Sequence, residues 1–430
     1  MALQNKWFKS FGMSMLPILH DQDIVHIIPI ATSKIKIDDI VLYHFDQGYI
    51  THRVIYTNPK KNWLLTKGDN NLLPDKKVSS SRILGSVDSI HRKGDTIQLN
   101  DYYLFQSTYY FEEIKLVKKE LDKNDIEHLF LKGLPVHLYY KRTFPKRDFA
   151  DCDLLFNKKD QDKIHLLLIR LGYKPQSSTE SPLHKLTKED VHSIEYYKIR
   201  GNFKVIFDVH FKVGLLETKL GSTEALYSPS LSNNFTKELF KTSISVTVLG
   251  EKYNILNHHY LIIYLATHIF HHNFKGYHRY SFLSDVIKKG LPDMVKIFKI
   301  ADQFKLINYI YPVFLIYNKY YLPKINIKTL KNYQTKRIRK FSERLAKKID
   351  IFADEDLFSS ALNRMIYIYV FSDANIIIKN GIFFVFAFKI LIFLRPLVWV
   401  KIVEFIIKRI LFFNYNLFLN KNLKKIINIF

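Results

Sequence analysis

Serine, histidine and carboxylate together can run acyl transfer, and this chain brings all three within its first 75 residues. Ser14 lies in Gly12-Met13-Ser14-Met15-Leu16-Pro17, His52 in Thr51-His52-Arg53-Val54-Ile55, and two aspartates in Lys67-Gly68-Asp69-Asn70-Asn71-Leu72-Leu73-Pro74-Asp75. A serine hydroxyl is a poor nucleophile at neutral pH and needs a base within hydrogen-bond reach, steered by a third group. Imidazole, with an unperturbed pKa near 6.5, suits that proton transfer.

A second group of residues points to different chemistry. Arg147-Asp148-Phe149-Ala150-Asp151-Cys152-Asp153-Leu154-Leu155-Phe156 reads as a strand entered from a turn. Alternate side chains of a strand share a face, so Asp151 and Asp153 project together while Cys152 and Leu154 enter the core. Two carboxylates aimed at one point repel unless a cation joins them, and Mg2+, a hard ion with oxygen ligands, fits. Asp208, in Lys204-Val205-Ile206-Phe207-Asp208-Val209-His210, adds a third carboxylate on a face shared with His210. Three carboxylates on neighbouring strands suit metal-assisted phosphoryl transfer, with a nucleoside triphosphate as the second ligand.

The elements that must position these residues follow from pattern. Ile24–Ile28 and Ile40–Phe45 are rich in β-branched and aromatic residues, and Gly68-Asp69 and Lys93-Gly94-Asp95 mark turns, which predicts a small all-β domain over residues 1–99. Phe130-Leu131-Lys132-Gly133 precedes a short helical stretch. His258, His259, His268, His271 and His272 lie in a helical pattern in which His268 and His272 share a face. No glutamate stands between that pair, so a zinc-protease helix is excluded, while metal binding by the pair stays open. The expected organisation is multidomain: the all-β domain, a connector at 100–126, an α/β (α+β) domain at 127–300, and a helical, basic and apolar C-terminal region at 301–430.

Composition sets limits on partners and compartment. The single cysteine, Cys152, excludes an internal disulfide and suits a reducing compartment. The net charge is +25, and residues 301–430 carry 22 Lys and Arg against 8 Asp and Glu, so an acidic partner is expected for that end. Residues 1–11 do not read as a secretory signal. Residues 334–348 read as a solvated basic helix face. Residues 381–400 are apolar, but Lys389, Arg395 and Pro396 interrupt them, which argues against a span. Residues 401–413 read as a helix in an anionic membrane interface or as one packed on the preceding domain. Nucleic acid is not expected as a partner.

Both constellations carry family resemblances. The ordered set of the Ser14 segment, Asp39-Ile40-Val41-Leu42-Tyr43, the His52 segment and the Gly68-Asp69 segment resembles the type I signal peptidase clan, in particular its His-using branch. That likeness implies Ser14 as nucleophile, His52 as base, Asp75 as the carboxylate that orients it, and Asp69 as a supporting, loop-shaping group, with no cofactor. The clan commonly has a hydroxyl two residues before the nucleophile, where this chain has Gly12, so the oxyanion hole depends on the Ser14 N–H and a donor not legible in the sequence. Residues 127–285 resemble the uncharacterised nucleotidyltransferase family of the DNA polymerase β-like superfamily. The points of likeness are Leu131-Lys132-Gly133, the arginine before the Asp-x-Asp strand, Leu171-Gly172-Tyr173, the Asp-x-His strand and the His-rich helix. It implies that Asp151, Asp153 and Asp208 bind metal, that Lys132, Gly133 and Arg147 bind the nucleotide, and that the helix histidines are packing or nucleotide-side residues. The superfamily's Gly-Ser is Gly133-Leu134 here, and Lys132 stands in as the phosphate contact.

No stretch from 99 to 127 could cross a bilayer, so both sites lie on one side of any membrane, and a nucleoside triphosphate makes that side the cytoplasm. The expected function is a serine endopeptidase that processes a peptide or protein, fused to a metal-dependent nucleotidyltransferase at the inner face of the membrane. Two alternatives stay open: a membrane-attached peptidase whose C-terminal part only recruits substrate, and a non-enzymatic interaction protein with both sites decayed. Self-cleaving repressors are a poor fit, since no helix-turn-helix precedes Ser14.

Overall fold

The computed structural model describes residues 6–393 apart from 47, 150, 177–192, 201–202, 215–225, 291, 328–332 and 356. Eight strands form the first sheet: β1 (Lys6–Lys9), β2 (Ile24–Ile28), β3 (Ile40–Phe45), β4 (Gly48–Asn58), β5 (Trp63–Lys67), β6 (Val78–Ser79), β7 (Ile83–Arg92) and β8 (Asp95–Gln98). Their order is β1-β2-β7-β3-β4-β5-β6, with β8 paired to β7, and every pairing is antiparallel. Alternation divides the interior in two. Ile40 and Leu42 of β3 pack with Met15, Leu19, Val25, Ile27 and Ile90 on one side, while Val41 and Tyr43 pack with Val54, Leu64 and Val78 on the other. Residues 15–19 thus close one core, which fixes the backbone immediately after Ser14.

The stretch expected to be a connector is instead most of a 25-residue helix, α1 (Leu99–Lys123). Its apolar residues recur every three or four positions, and the stripe serves two cores. Leu99 and Tyr103 complete the first sheet's core, and the buried Tyr110, Phe111, Ile114, Val117 and Leu121 face the second domain. The Tyr110 hydroxyl donates to the Ile206 carbonyl and accepts from the Ile206 N–H. One buried stripe thus ties this helix to both sheets, while Leu104, Phe105 and Leu116 on its other face stay exposed.

The second sheet contains β9 (His128–Phe130), β10 (Cys152–Phe156), β11 (Lys174–Pro175), β12 (Ser193–Arg200), β13 (Phe203–His210), β14 (Ile244–Val248) and β15 (Glu251–Ile255), in the order β11-β12-β13-β10-β9-β15-β14. It is mixed: β10 runs parallel to β13 and antiparallel to β9. α2 (Leu134–Lys141) follows β9, α3 (Gln161–Arg170) follows β10, and α4 (Pro229–Lys241) precedes the β14–β15 hairpin. α5 (His258–His271) is buried over most of its length and packs against α6 (Tyr277–Lys289), α7 (Met294–Gln303) and α8 (Ile307–Tyr320).

The C-terminal region is helical as expected, with α9 (Lys336–Lys348), α10 (Leu357–Phe371) and α11 (Ile376–Phe393). α9 buries Ser342, Leu345 and Ala346 and exposes Lys336, Arg337, Lys340, Arg344 and Lys347, the solvated basic face that its periodicity predicts. Residues Met1–Ser372 form one compact unit and Asp373–Phe430 another. Within the latter, α11 exposes Ile376, Ile377, Ile378, Phe384 and Val385. Among the described residues no helix is long and apolar enough to cross a membrane. The stretch 401–413 lies outside the described residues, as does the end of 381–400.

Candidate functional site

Ser14, His52 and Asp75 meet in a hydrogen-bonded line. Ser14 sits in the turn after β1, His52 is an inward residue of β4, and Asp75 follows β5. The Ser14 Oγ is 3.0 Å from His52 Nε2, and His52 Nδ1 is 2.6 Å from Asp75 Oδ2. A carboxylate can only accept, so Nδ1 carries the proton and Nε2 is left to take the serine's. Asp75 is fixed in turn: its N–H donates to the Thr66 carbonyl at 2.9 Å, and its Oδ2 accepts from Thr66 Oγ1 at 2.7 Å and Tyr43 Oη at 3.1 Å. Burial works against its charge, but the bonds from His52, Thr66 and Tyr43 outweigh that and hold its pKa below the usual aspartate value. Thr66 and Tyr43 carried no signal in the sequence, because both read as ordinary strand residues.

Asp69 plays a different part. It does not touch His52 but receives two parallel bonds from Arg53, Nε to Oδ1 and Nη2 to Oδ2, both 2.7 Å. Arg53 also donates to the Asp38 carbonyl at 2.9 Å and the Tyr103 hydroxyl at 3.0 Å. Arg53, the residue after His52, thereby grips the loop that leads to Asp75. Leu72, in the same loop, accepts at its carbonyl from the Asp354 N–H at 2.7 Å, and Lys67 pairs with the Asp354 carboxylate.

The second constellation also converges. In the parallel register of β10 and β13, Asp153 stands beside Asp208. Asp151, just before β10, and Asp153 both pair with Lys132, whose Nζ is 3.0 and 2.9 Å from their Oδ2 atoms. His210 Nε2 lies 3.1 Å from Asp208 Oδ2 and 3.3 Å from Asp153 Oδ1. One ligand atom each from Asp153, Asp208 and His210 fall within 4.8 Å of one another. Burial opposes the charge on His210, yet the Asp208 and Asp153 carboxylates prevail and raise its pKa to about 10. Lys132 is raised for the same reason by Asp153 and Asp151. The cluster's surplus of negative charge is thus balanced by an ammonium and an imidazolium, which a divalent cation would relieve. The carboxylate oxygens of Asp153 and Asp208 suit a hard cation such as Mg2+, whereas His210 could offer a nitrogen only after giving up its proton.

Gly133 shows why the backbone can come so close to this strand. Its φ is +113°, and a side chain there would stand 2.9 Å from Cys152 Sγ and 3.2 Å from Cys152 Cα. The carboxylates open into a cavity of about 740 Å3 that Lys132, Gly133 and Arg147 also line. Three further residues on its wall were missed. Arg279 of α6 and Arg364 of α10 add guanidinium groups that no motif marks, and Glu195 of β12 pairs in register with Asp208. Glu195 could have been found only by recognising β12 and β13 as a hairpin. Burial lowers the Arg279 pKa to about 10, which leaves it charged at neutral pH.

His268 and His272 lie with ring centroids 4.7 Å apart, and both line the cavity with His271 and His278. Burial holds His268, His272 and His278 well below the usual histidine pKa, so they face the cavity as neutral rings. His271 Nε2 is 3.0 Å from Arg364 Nη1.

The walls of the cavity join the loops of the triad. Lys146, next to Arg147, accepts at its carbonyl from Arg53 Nη1 at 3.4 Å, and its ammonium lies 3.6 Å from Asp39. Asp354, bound to Lys67 and Leu72, precedes Glu355, another residue of the cavity wall. Two short segments therefore each touch the triad's supporting loops with one residue and the cavity with the next.

No curated protein and no solved structure significantly matches the chain. Residues 103–291 match the family model described as an uncharacterised nucleotidyltransferase. The matched stretch begins within α1, ends after α6, and contains Lys132, Asp151, Asp153, Asp208, His210 and Arg279 but not the Ser14 triad. Its likeness to the uncharacterised nucleotidyltransferases therefore rests on the part of the chain that builds the carboxylate cluster.

Proposed function

We propose that the chain is a two-site enzyme: a metal-dependent nucleotidyltransferase centred on Asp151, Asp153 and Asp208, and a serine endopeptidase centred on Ser14, His52 and Asp75. For the transferase, the carrying observation is the register of Asp153 against Asp208 on parallel strands beside a cavity lined by three arginines. Mg2+ held by the carboxylates would offset phosphate charge and favour ionisation of an attacking hydroxyl. The chain's own groups do the rest. Arg147, Arg279 and Arg364 can bind triphosphate oxygens through paired N–H donors, Lys132 can turn from the carboxylates to a phosphate, and the neutral histidine rings offer faces for a nucleoside. Attack of the acceptor hydroxyl on the α-phosphorus would then release pyrophosphate.

For the peptidase, the carrying observation is the Ser14–His52–Asp75 line. Ser14 Oγ attacks a peptide carbonyl, His52 Nε2 takes its proton and returns it to the leaving amine, and Asp75 stabilises the imidazolium. Phe11, Met13, Leu72 and Leu73, in segments flanking Ser14, are exposed and suit an apolar peptide. A fluorophosphonate tests this reading directly: it should modify Ser14 and leave His52→Ala unmodified.

The C-terminal unit is proposed as the attachment to an anionic membrane. The exposed apolar residues of α11 and the basic sequence that follows support this reading. With nucleoside triphosphate as a substrate, both sites would work on the cytoplasmic side.

A further inference from the structure

A serine nucleophile needs two donors for the oxyanion that forms when it attacks, and only one is evident at Ser14. Among the described residues none accepts a hydrogen bond from the Ser14 N–H, so that donor is available. The position two residues earlier cannot easily supply the other. Gly12 has a φ of +87°, a conformation that serine or threonine rarely adopts, and its N–H is committed to Asp21 Oδ1 at 2.8 Å.

The loop at 68–71 lies against Ser14 instead. Asn70 donates from its N–H to the Ser14 carbonyl at 2.8 Å and from its side chain to the Met13 carbonyl at 3.2 Å, so the nucleophile's backbone is clamped to this loop. Asn71 forms the end of the turn through its N–H to the Gly68 carbonyl at 2.9 Å. Its side chain folds back over Gly68. A Cβ placed on Gly68 would stand 2.8 Å from Asn71 Nδ2 and 2.6 Å from the Ser14 carbonyl oxygen, which puts the amide beside the nucleophile's own backbone. Among the described residues, the Asn71 side chain has no hydrogen-bond partner, whereas that of Asn70 does.

We propose that the Asn71 side-chain amide is the second donor of the oxyanion hole at Ser14. The inference rests on the peptidase reading. Ser14 Oγ bonds to the carbonyl carbon as its proton passes to His52 Nε2. The carbonyl electron pair moves to oxygen, which takes hydrogen bonds from the Ser14 N–H and Asn71 Nδ2. Collapse restores the carbonyl and expels the leaving group, which receives the proton from His52.

The test uses the full chain, p-nitrophenyl acetate as acyl probe, and a fluorophosphonate, with Ser14→Ala as the background. Asn71→Ala and the isosteric Asn71→Asp should each lower kcat by about 10²–10³-fold with little change in KM. Their Tm should stay that of the parent, because the amide holds nothing in the resting protein. Asn71→Asp keeps the shape of the loop, so a loss shared by both variants belongs to the missing donor. If kcat in both equals the parent's, the proposal is overturned while the peptidase reading stands. If the parent itself is not modified at Ser14 by the fluorophosphonate, the peptidase reading falls and Asn71 with it.

Discussion

Arg53 and Asp69 meet in a two-pronged ion pair, and through it the strand that carries His52 is locked to the loop that leads to Asp75. Arg53 is buried, and its remaining donors reach Asp38, Tyr103 and Lys146. Arg53→Met should destabilise the protein by about 3–5 kcal/mol, since it leaves Asp69 without its partner in a partly closed site. Arg53→Lys should recover only part of the loss, because an ammonium cannot reproduce the fork. Chemical denaturation of the three proteins measures both.

Acid should weaken the first domain through Asp23. This buried aspartate takes bonds from Arg92 Nε at 2.9 Å and Nη2 at 2.6 Å, and Arg92 also donates to the Ile18 carbonyl at 2.8 Å, which fastens the segment after Ser14. Burial opposes the charge, but Arg92 outweighs it and lowers the Asp23 pKa. The folded pKa lies below the unfolded one, so the stabilisation is present above about pH 4 and is lost as pH falls through the folded value. Asp23→Asn should cost about 1.5–3 kcal/mol at pH 7 and little at pH 2.5, as followed by Tm against pH.

Gly133→Ala should damage the transferase site alone. The new methyl would meet the Cys152 backbone and sulfur at a φ that alanine resists, a cost of about 2–4 kcal/mol. Magnesium-dependent nucleotide binding should fall, while fluorophosphonate modification of Ser14 continues at the parent rate. Loss of both together would show that the two sites do not fold as independently as their separate sheets imply.

A chain lacking residues 373–430 should lose its affinity for vesicles that contain anionic phosphatidylglycerol and keep both active sites. High salt should weaken the full chain's binding only in part, since apolar burial is not screened. Equal flotation of the truncated and full chains would contradict the attachment.

The sequence made the site legible where chemistry depends on local spacing. Asp151 and Asp153 alternate across the entry to β10, and Asp208 and His210 along β13, so spacing alone makes the shared face of each pair legible. What joins the pairs is the parallel register of β10 with β13, and no local pattern encodes it. Arg279 and Arg364 reach the cavity from α6 and α10, which tertiary packing brings together, so no local pattern marks them. Residues 100–126, expected as a connector, carry Tyr103, Tyr110, Ile114, Val117 and Leu121 at helical spacing, and most of them form α1. Asp69 and Asp75 are both legible as carboxylates near His52, and the resemblance gives them different roles; the bond from His52 to Asp75 and the fork from Arg53 to Asp69 show the partner that each one has.

The most direct test of the account is equilibrium dialysis of the full chain against each of the four α-labelled ribonucleoside triphosphates, with and without Mg2+. At least one should be retained in a Mg2+-dependent manner, and Asp153→Asn should abolish that retention without altering fluorophosphonate modification of Ser14. Retention of none of the four in the presence of Mg2+, or equal retention by Asp153→Asn, would contradict the assignment of the carboxylate cluster as a nucleotidyltransferase centre.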